Sequence, residues 1–172
     1  MGLEGENRFD RFLIGGDYKK VLDKVDTPIL FIPQNSTFSP PNKILYATDF
    51  DPDDLDIIRY LIKLTKRFEP EIIIAHIVVP TDSEVIGQED MKKLKQKIRS
   101  GIRYKKISYD VLKGNDINQE LTNLIKQVDP DWLVMLTQKR LSLLDKYLQH
   151  SYSRRMLSKT QLPLFVFHQE FQ

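Results

Sequence analysis

Four groups of residues in this chain are of types that could do chemistry. Asp49 closes the apolar run Lys43-Ile44-Leu45-Tyr46-Ala47-Thr48-Asp49-Phe50. If that run is the central strand of a parallel sheet, Asp49 stands beyond its carboxyl end, where open α/β sheets bind small molecules. The same acid could instead serve the next helix, since Asp51, Asp53 and Asp54 crowd one turn and carboxylates favour helix N-termini. His76 interrupts the apolar stretch from Ile72 to Val79, where a hydrogen-bonded core or strand-end histidine competes with a catalytic one. His150 and Ser151 juxtapose a base and a nucleophile, but adjacent side chains on one turn rarely meet and no third orienting group follows. Helix capping by Ser151 is the simpler reading. Lys139, Arg140, Lys146, His150, Arg154 and Arg155 form a basic cluster that either holds phosphate or another acidic group or is a solvated helix face. No base, nucleophile and oxyanion set assembles from these groups, so the chain is not expected to be an enzyme.

Composition narrows the field further. With 26 basic and 24 acidic residues the net charge is +2, which gives no general attraction to nucleic acid or to a membrane surface, and neither partner is expected. The absence of cysteine excludes disulfides, thiolate metal sites and cysteine nucleophiles. Three histidines far apart in sequence make a metal cluster unlooked-for. The longest apolar run is too short to span a bilayer, and acidic Glu4 and Glu6 do not suit a signal peptide. A cytoplasmic protein is the default expectation. A length of 172 residues suits one domain with an appendage.

The elements that must position those residues follow from periodicity. Asp17 caps a short helix reaching about Val25, and Pro28 to Ile32 is a buried strand. Gln34 to Asn42, with Pro40-Pro41, has linker composition. From Lys43 strands and helices alternate, the pattern of stacked βαβ units. Asp53 or Asp54 caps a helix bearing Ile57, Ile58, Leu61, Ile62 and Leu64, with Pro70 ending it. Ile72 to Val79 is a strand buried on both faces, and Thr81 to Gly87 reads as a loop before a helix through Met91, Leu94, Ile98 and Ile102. Ile107 to Leu112 alternates like an edge strand. Ile117, Leu121, Leu124, Ile125 and Val128 line the inner face of the next helix. Trp132 to Leu136 is a strand, Leu141 to Thr160 is helical with a break near His150, and Pro163 to Phe167 is the last strand. The expected fold is α/β, a five-stranded parallel sheet with helices on both faces.

The beginning of the chain echoes its end. Gly15-Gly16-Asp17-Tyr18 leads through a helix to Thr27-Pro28-Ile29-Leu30-Phe31-Ile32, as His150-Ser151-Tyr152-Ser153 leads to Leu162-Pro163-Leu164-Phe165-Val166-Phe167. Residues 1–33 therefore read as the tail of a preceding homologous domain, 34–41 as a linker and 42–170 as a complete domain.

Taken together, Ile44 to Phe50, Ala75-His76-Ile77-Val78, Leu112-Lys113-Gly114 and Asp131 to Met135, in that order and spacing, resemble the universal stress protein family in its tandem form. The resemblance implies an adenine-nucleotide alpha hydrolase-like sheet of order 3-2-1-4-5. It implies a non-enzymatic stress-response role, and pairing of final strands, Pro28–Ile32 against Pro163–Phe167, within one chain or across a homodimer. It also implies a nucleotide site with Ala47, Thr48 and Asp49 on one wall and Thr137, Lys139, Arg140, His150, Ser151 and Arg154 on the other. The family's loop is G-x2-G-x9-G-[S/T], whose glycines let backbone N–H groups approach phosphates. Gly2, Gly5 and Gly15 keep that spacing as a vestigial loop of the first domain. In the complete domain, Thr137, Arg140 and His150 replace all three glycines. Loss of two backbone-to-phosphate bonds lowers affinity by about 10² to 10⁴. Two readings stand: a weak or degenerate nucleotide or anion site in a module that acts by protein association, or an ATP switch whose phosphates rest on Lys139, Arg140 and Arg154. The cofactor is correspondingly either none or ATP/AMP.

Overall fold

The structure is a computed structural model that describes residues 2–3, 25, 27–33, 39–79, 83–137 and 162–169. The strands are β1 (Gly2–Leu3), β2 (Ile29–Pro33), β3 (Lys43–Ala47), β4 (Glu71–Val78), β5 (Ile107–Lys113), β6 (Trp132–Thr137) and β7 (Leu164–His168). The helices are α1 (Asp54–Leu64), α2 (Glu84–Gly101) and α3 (Ile117–Val128). The expected helices near Asp17 to Val25 and Leu141 to Thr160 fall outside the described residues.

The apolar β3 is the middle of the domain, paired in parallel with β4 on one side and β6 on the other. One carboxylate fixes where it starts: Asp131 accepts the backbone N–H groups of Asn42 and Lys43 at 2.6 and 2.9 Å. The five strands of the domain run β5-β4-β3-β6-β7, the expected 3-2-1-4-5 order. The sheet is wider than five strands, however. Strand β2 adds antiparallel to β7, and β1 adds parallel to β2, because a β7 that is buried at every residue leaves an apolar edge that needs a partner.

Helix α1 and helix α2 cover one face, where Ile57, Ile58, Leu61, Met91, Leu94 and Ile98 pack on Ile44, Tyr46, Ile72 and Ile74. On the other face α3 seats Leu121 and Leu124 against Leu45, Ala75, Leu133 and Val166. Its start is capped as the sequence directs, with Asp116 accepting from the N–H groups of Asn118 and Gln119.

Two helix boundaries and one cap differ from expectation. Helix α1 stops at Leu64 rather than running on toward Pro70, because the Thr65 hydroxyl bonds back to the Leu61 carbonyl at 2.7 Å and the chain turns through left-handed Glu69. Helix α2 begins at Glu84, inside the expected loop 81–87. Gly87 weakens helix propensity, yet a Cβ there would come within 2.7 Å of Val78 Cγ2, so close packing on β4 outweighs propensity. Asp53 occupies the α1 N-cap position, but its side chain makes no cap bond. Asp54 does not cap either: it turns inward.

Candidate functional site

The crevice beyond β3 is built by a short turn. Pairing continues one residue past the strand, with the Thr48 N–H donating to the Ala75 carbonyl at 2.9 Å. The chain then reverses through Phe50, whose φ of 60° is uncommon for a bulky residue. Two contacts hold that conformation. The Thr48 hydroxyl accepts the Phe50 N–H at 2.8 Å, and the Phe50 ring lies 4.3 Å from the His76 ring. Asp49 is thereby thrown outward, its side chain 84% exposed and its carboxylate 3.7 Å from His76 Nδ1. His76 itself is buried, with Nδ1 2.8 Å from the Thr48 carbonyl; of its two readings, the hydrogen-bonded strand histidine is the one seen.

Beneath this rim lies a second carboxylate. Asp54, the first residue of α1, is only 1% exposed and accepts hydrogen bonds of 2.5 Å each from the Tyr46 and Thr48 hydroxyls. Burial pushes its carboxyl up from 3.8 to about 6; the two hydroxyls hold it down, while Asp51 and Asp49 add to the rise. Burial, and then the Asp54 charge, raise the Tyr46 phenol well above its usual range. Sequence reasoning missed this group. The available signal was that Tyr46 and Thr48, two apart on a strand, share a face, and that an acid at the first turn of the next helix can lie over that face.

On the far side of the crevice Thr137 ends β6, with a buried side chain. Its carbonyl accepts the Gln169 N–H at 3.1 Å, and the Gln169 side chain donates to Asp51 at 2.5 Å. These bonds tie the ends of β6 and β7 to the lead-in of α1. Ala47 is partly buried and pairs with Ala75 and Met135. The structure therefore brings Ala47, Thr48, Asp49 and Thr137 to the carboxyl ends of the adjacent strands β3 and β6. Lys139, Arg140, His150, Ser151 and Arg154 lie outside the described residues, as do Gly5 and Gly15. Gly2 opens the two-residue β1, whereas Thr137 closes β6. Among the described residues no group of three or more His, Asp or Glu side chains is arranged to hold a metal ion, and no helix is long and apolar enough to cross a membrane.

Residues 41–168 match the model of the universal stress protein family. Among curated protein sequences none matches the chain. Several solved structures share its fold. A universal stress protein from Archaeoglobus fulgidus DSM 4304 superposes with a TM-score of 0.72 at 19% identity, over 98% of this chain and 59% of its own. A functionally unknown protein from Pseudomonas aeruginosa PAO1 gives 0.68 at 16% identity, over 98% of this chain and 61% of its own. A universal stress protein solved in complex with cAMP gives 0.59 at 15% identity, over 76% of this chain and 98% of its own. The chain thus spans about three-fifths of the length of the first two.

Proposed function

The chain belongs to the universal stress protein family, and from that premise we propose that it is a non-enzymatic stress-response module that acts by domain pairing and protein association. In this reading residues 1–33 are the end of a first domain, 34–41 a linker and 42–170 a complete second one. The observation that carries it is the register of β2 on β7. Leu30 pairs with Phe165, each standing two residues after its strand's proline, and Ile29 pairs with Val166 as Phe31 pairs with Leu164. Each residue therefore faces the counterpart demanded by a twofold relation between repeats. A parallel neighbour flanks each strand, β1 beside β2 and β6 beside β7. The same contact could form between two copies of the chain as a homodimer, and a cytoplasmic location is part of the proposal.

The non-enzymatic part rests on how the polar groups are engaged. Thr48 holds Asp54 and the Phe50 turn, and His76 holds the Thr48 carbonyl; each of these contacts is structural. Asp49 differs, because its carboxylate faces solvent and fits the adenine side of a nucleotide. The other wall fits less well: Thr137 replaces the first glycine with a buried side chain. Binding is accordingly weak. A second reading, an ATP-binding switch with phosphates on Lys139, Arg140 and Arg154, draws support from exposed Asp49 and from the relative solved in complex with cAMP.

Calorimetric titration with ATP separates the two. The first reading expects a dissociation constant weaker than about 10 µM; tighter binding that vanishes in Asp49→Ala would establish the switch. For the pairing, Phe31→Asp puts a charge opposite Leu164 at a buried position. The variant is expected to aggregate or change oligomeric state in size-exclusion chromatography. An unchanged elution profile and melting temperature would count against the pairing.

A further inference from the structure

The opposite end of the sheet from Asp49 carries a feature that the pairing and the nucleotide crevice do not explain. Where α2 ends and β5 begins, a cavity of about 670 Å³ opens between the helix, the connection 102–106 and the strand. Its volume lies within the range of ligand clefts, roughly 300–1,000 Å³. Lys95, Arg99, Arg103 and Lys105 line it, and no acidic residue does. The stretch from Lys92 to Lys106 contains eight of the chain's 26 basic residues and none of its 24 acidic ones.

The positive charge is local, and two carboxylates beside it are engaged elsewhere, Glu71 by the lining Ser108 at 2.8 Å and Glu69 by Lys106. Lys93 pairs with Asp90, but among the described residues no carboxylate pairs with any of the four cations at the cavity. A helix C-terminus attracts cations with a partial charge of about half a unit, and Arg99 in the last turn of α2 satisfies that. It does not account for three more. The floor is apolar, with Ile98 fully buried beneath Ile102 and Ile107. Tyr109 closes one side, its ring 4.9 Å from Lys95 Nζ, and Tyr104 is anchored by donating its hydroxyl to the Pro70 carbonyl at 2.5 Å. Two guanidiniums and two ammoniums line this one cavity, a donor set of the kind that suits several phosphate groups held close together.

We propose that this cavity binds a compact polyphosphate anion, with its phosphates on Lys95, Arg99, Arg103 and Lys105. The phosphates could belong to a free chain or to a nucleotide, and the chemistry at the cavity is common to both. The proposal does not depend on the Asp49 crevice.

The test is a calorimetric titration of the full chain with inorganic tripolyphosphate at about 0.15 M ionic strength, where exposed charges are screened beyond roughly 8 Å. Saturable one-site binding is expected. Arg99→Ala/Arg103→Ala should weaken it about 30-fold or more. Lys92→Ala/Lys97→Ala removes the same charge from exposed positions that do not line the cavity and should change it less than about threefold. All four residues are exposed, so melting temperatures should stay within a few degrees. Adding ATP decides the source: competition assigns the phosphates to a nucleotide, and its absence assigns them to a free chain, both with the site intact. Equal losses in the two double variants, or no saturable binding, would reduce the cluster to a solvated basic face. Loss confined to Lys139→Ala/Arg140→Ala would put the phosphates on that pair instead and overturn the assignment.

Discussion

Asp49 and Asp54 are five residues apart and belong to the same turn, yet the fold uses them in opposite ways. Asp49 stands on the rim, with its carboxylate in water. Asp54 lies on the floor, closed off and held by two hydroxyls. The difference teaches that an acidic cluster is not a functional unit. Only the rim carboxylate can meet a ligand, and the floor carboxylate holds the turn that presents it: Asp54 binds Thr48, Thr48 fixes Phe50, and Asp49 is left pointing out.

The strongest way to break this arrangement is Thr48→Val, which keeps the shape and deletes the hydroxyl. It leaves Asp54 short of one donor and the Phe50 N–H short of its acceptor. A loss of about 3 kcal/mol at pH 7 is expected by urea denaturation. A loss under about 1 kcal/mol would show that the turn is held by other means.

Asp54→Asn sharpens the contrast with a smaller effect, read in its pH dependence. A folded-state carboxyl at about 6 against 3.8 means that the native state binds the proton more tightly than the unfolded chain does. The associated stability is fully present below pH 4 and is lost as pH rises past 6. At about 1.4 kcal/mol per pKa unit the span is about 3 kcal/mol. The amide carries no charge, so its stability should be flat from pH 4 to 6 apart from other groups; at pH 7 the relief of a buried charge is offset because one hydroxyl loses its acceptor oxygen, and the net change is expected within about 1 kcal/mol. A variant with the parent's slope across that window would place the titration elsewhere.

The smallest effect is expected at the rim. Asp49→Ala should leave stability within about 0.5 kcal/mol while lowering the heat of ATP binding. A large destabilisation would mean that Asp49 is a structural acid like its neighbour.

Much of this was legible in the sequence because it depends on local pattern. The apolar runs at Ile44–Ala47 and Ile72–Val78, the inward face of α3 with Leu121 and Leu124, and the half-polar alternation of β5 all found their places. The matching prolines before β2 and β7 marked the internal echo, while the meeting of those two strands was implied by the family resemblance. Two kinds of feature were not legible. Helix limits at Leu64 and Glu84 turned on one hydroxyl bond and on a glycine forced against Val78, which are contacts rather than propensities. The basic cavity joins residues from a helix, a connection and a strand, and composition near charge balance concealed it.

By itself the sequence determined the alternation of strands and helices from Lys43 onward, hence a parallel sheet, because side-chain periodicity decides which face is buried; the strand order was implied by the family resemblance and is seen in the pairing. Only the tertiary structure decided which of four neighbouring acids would be exposed. Burial of a carboxylate depends on whether hydroxyls reach it, and Tyr46 and Thr48 reach Asp54 only once β3 and α1 have packed together.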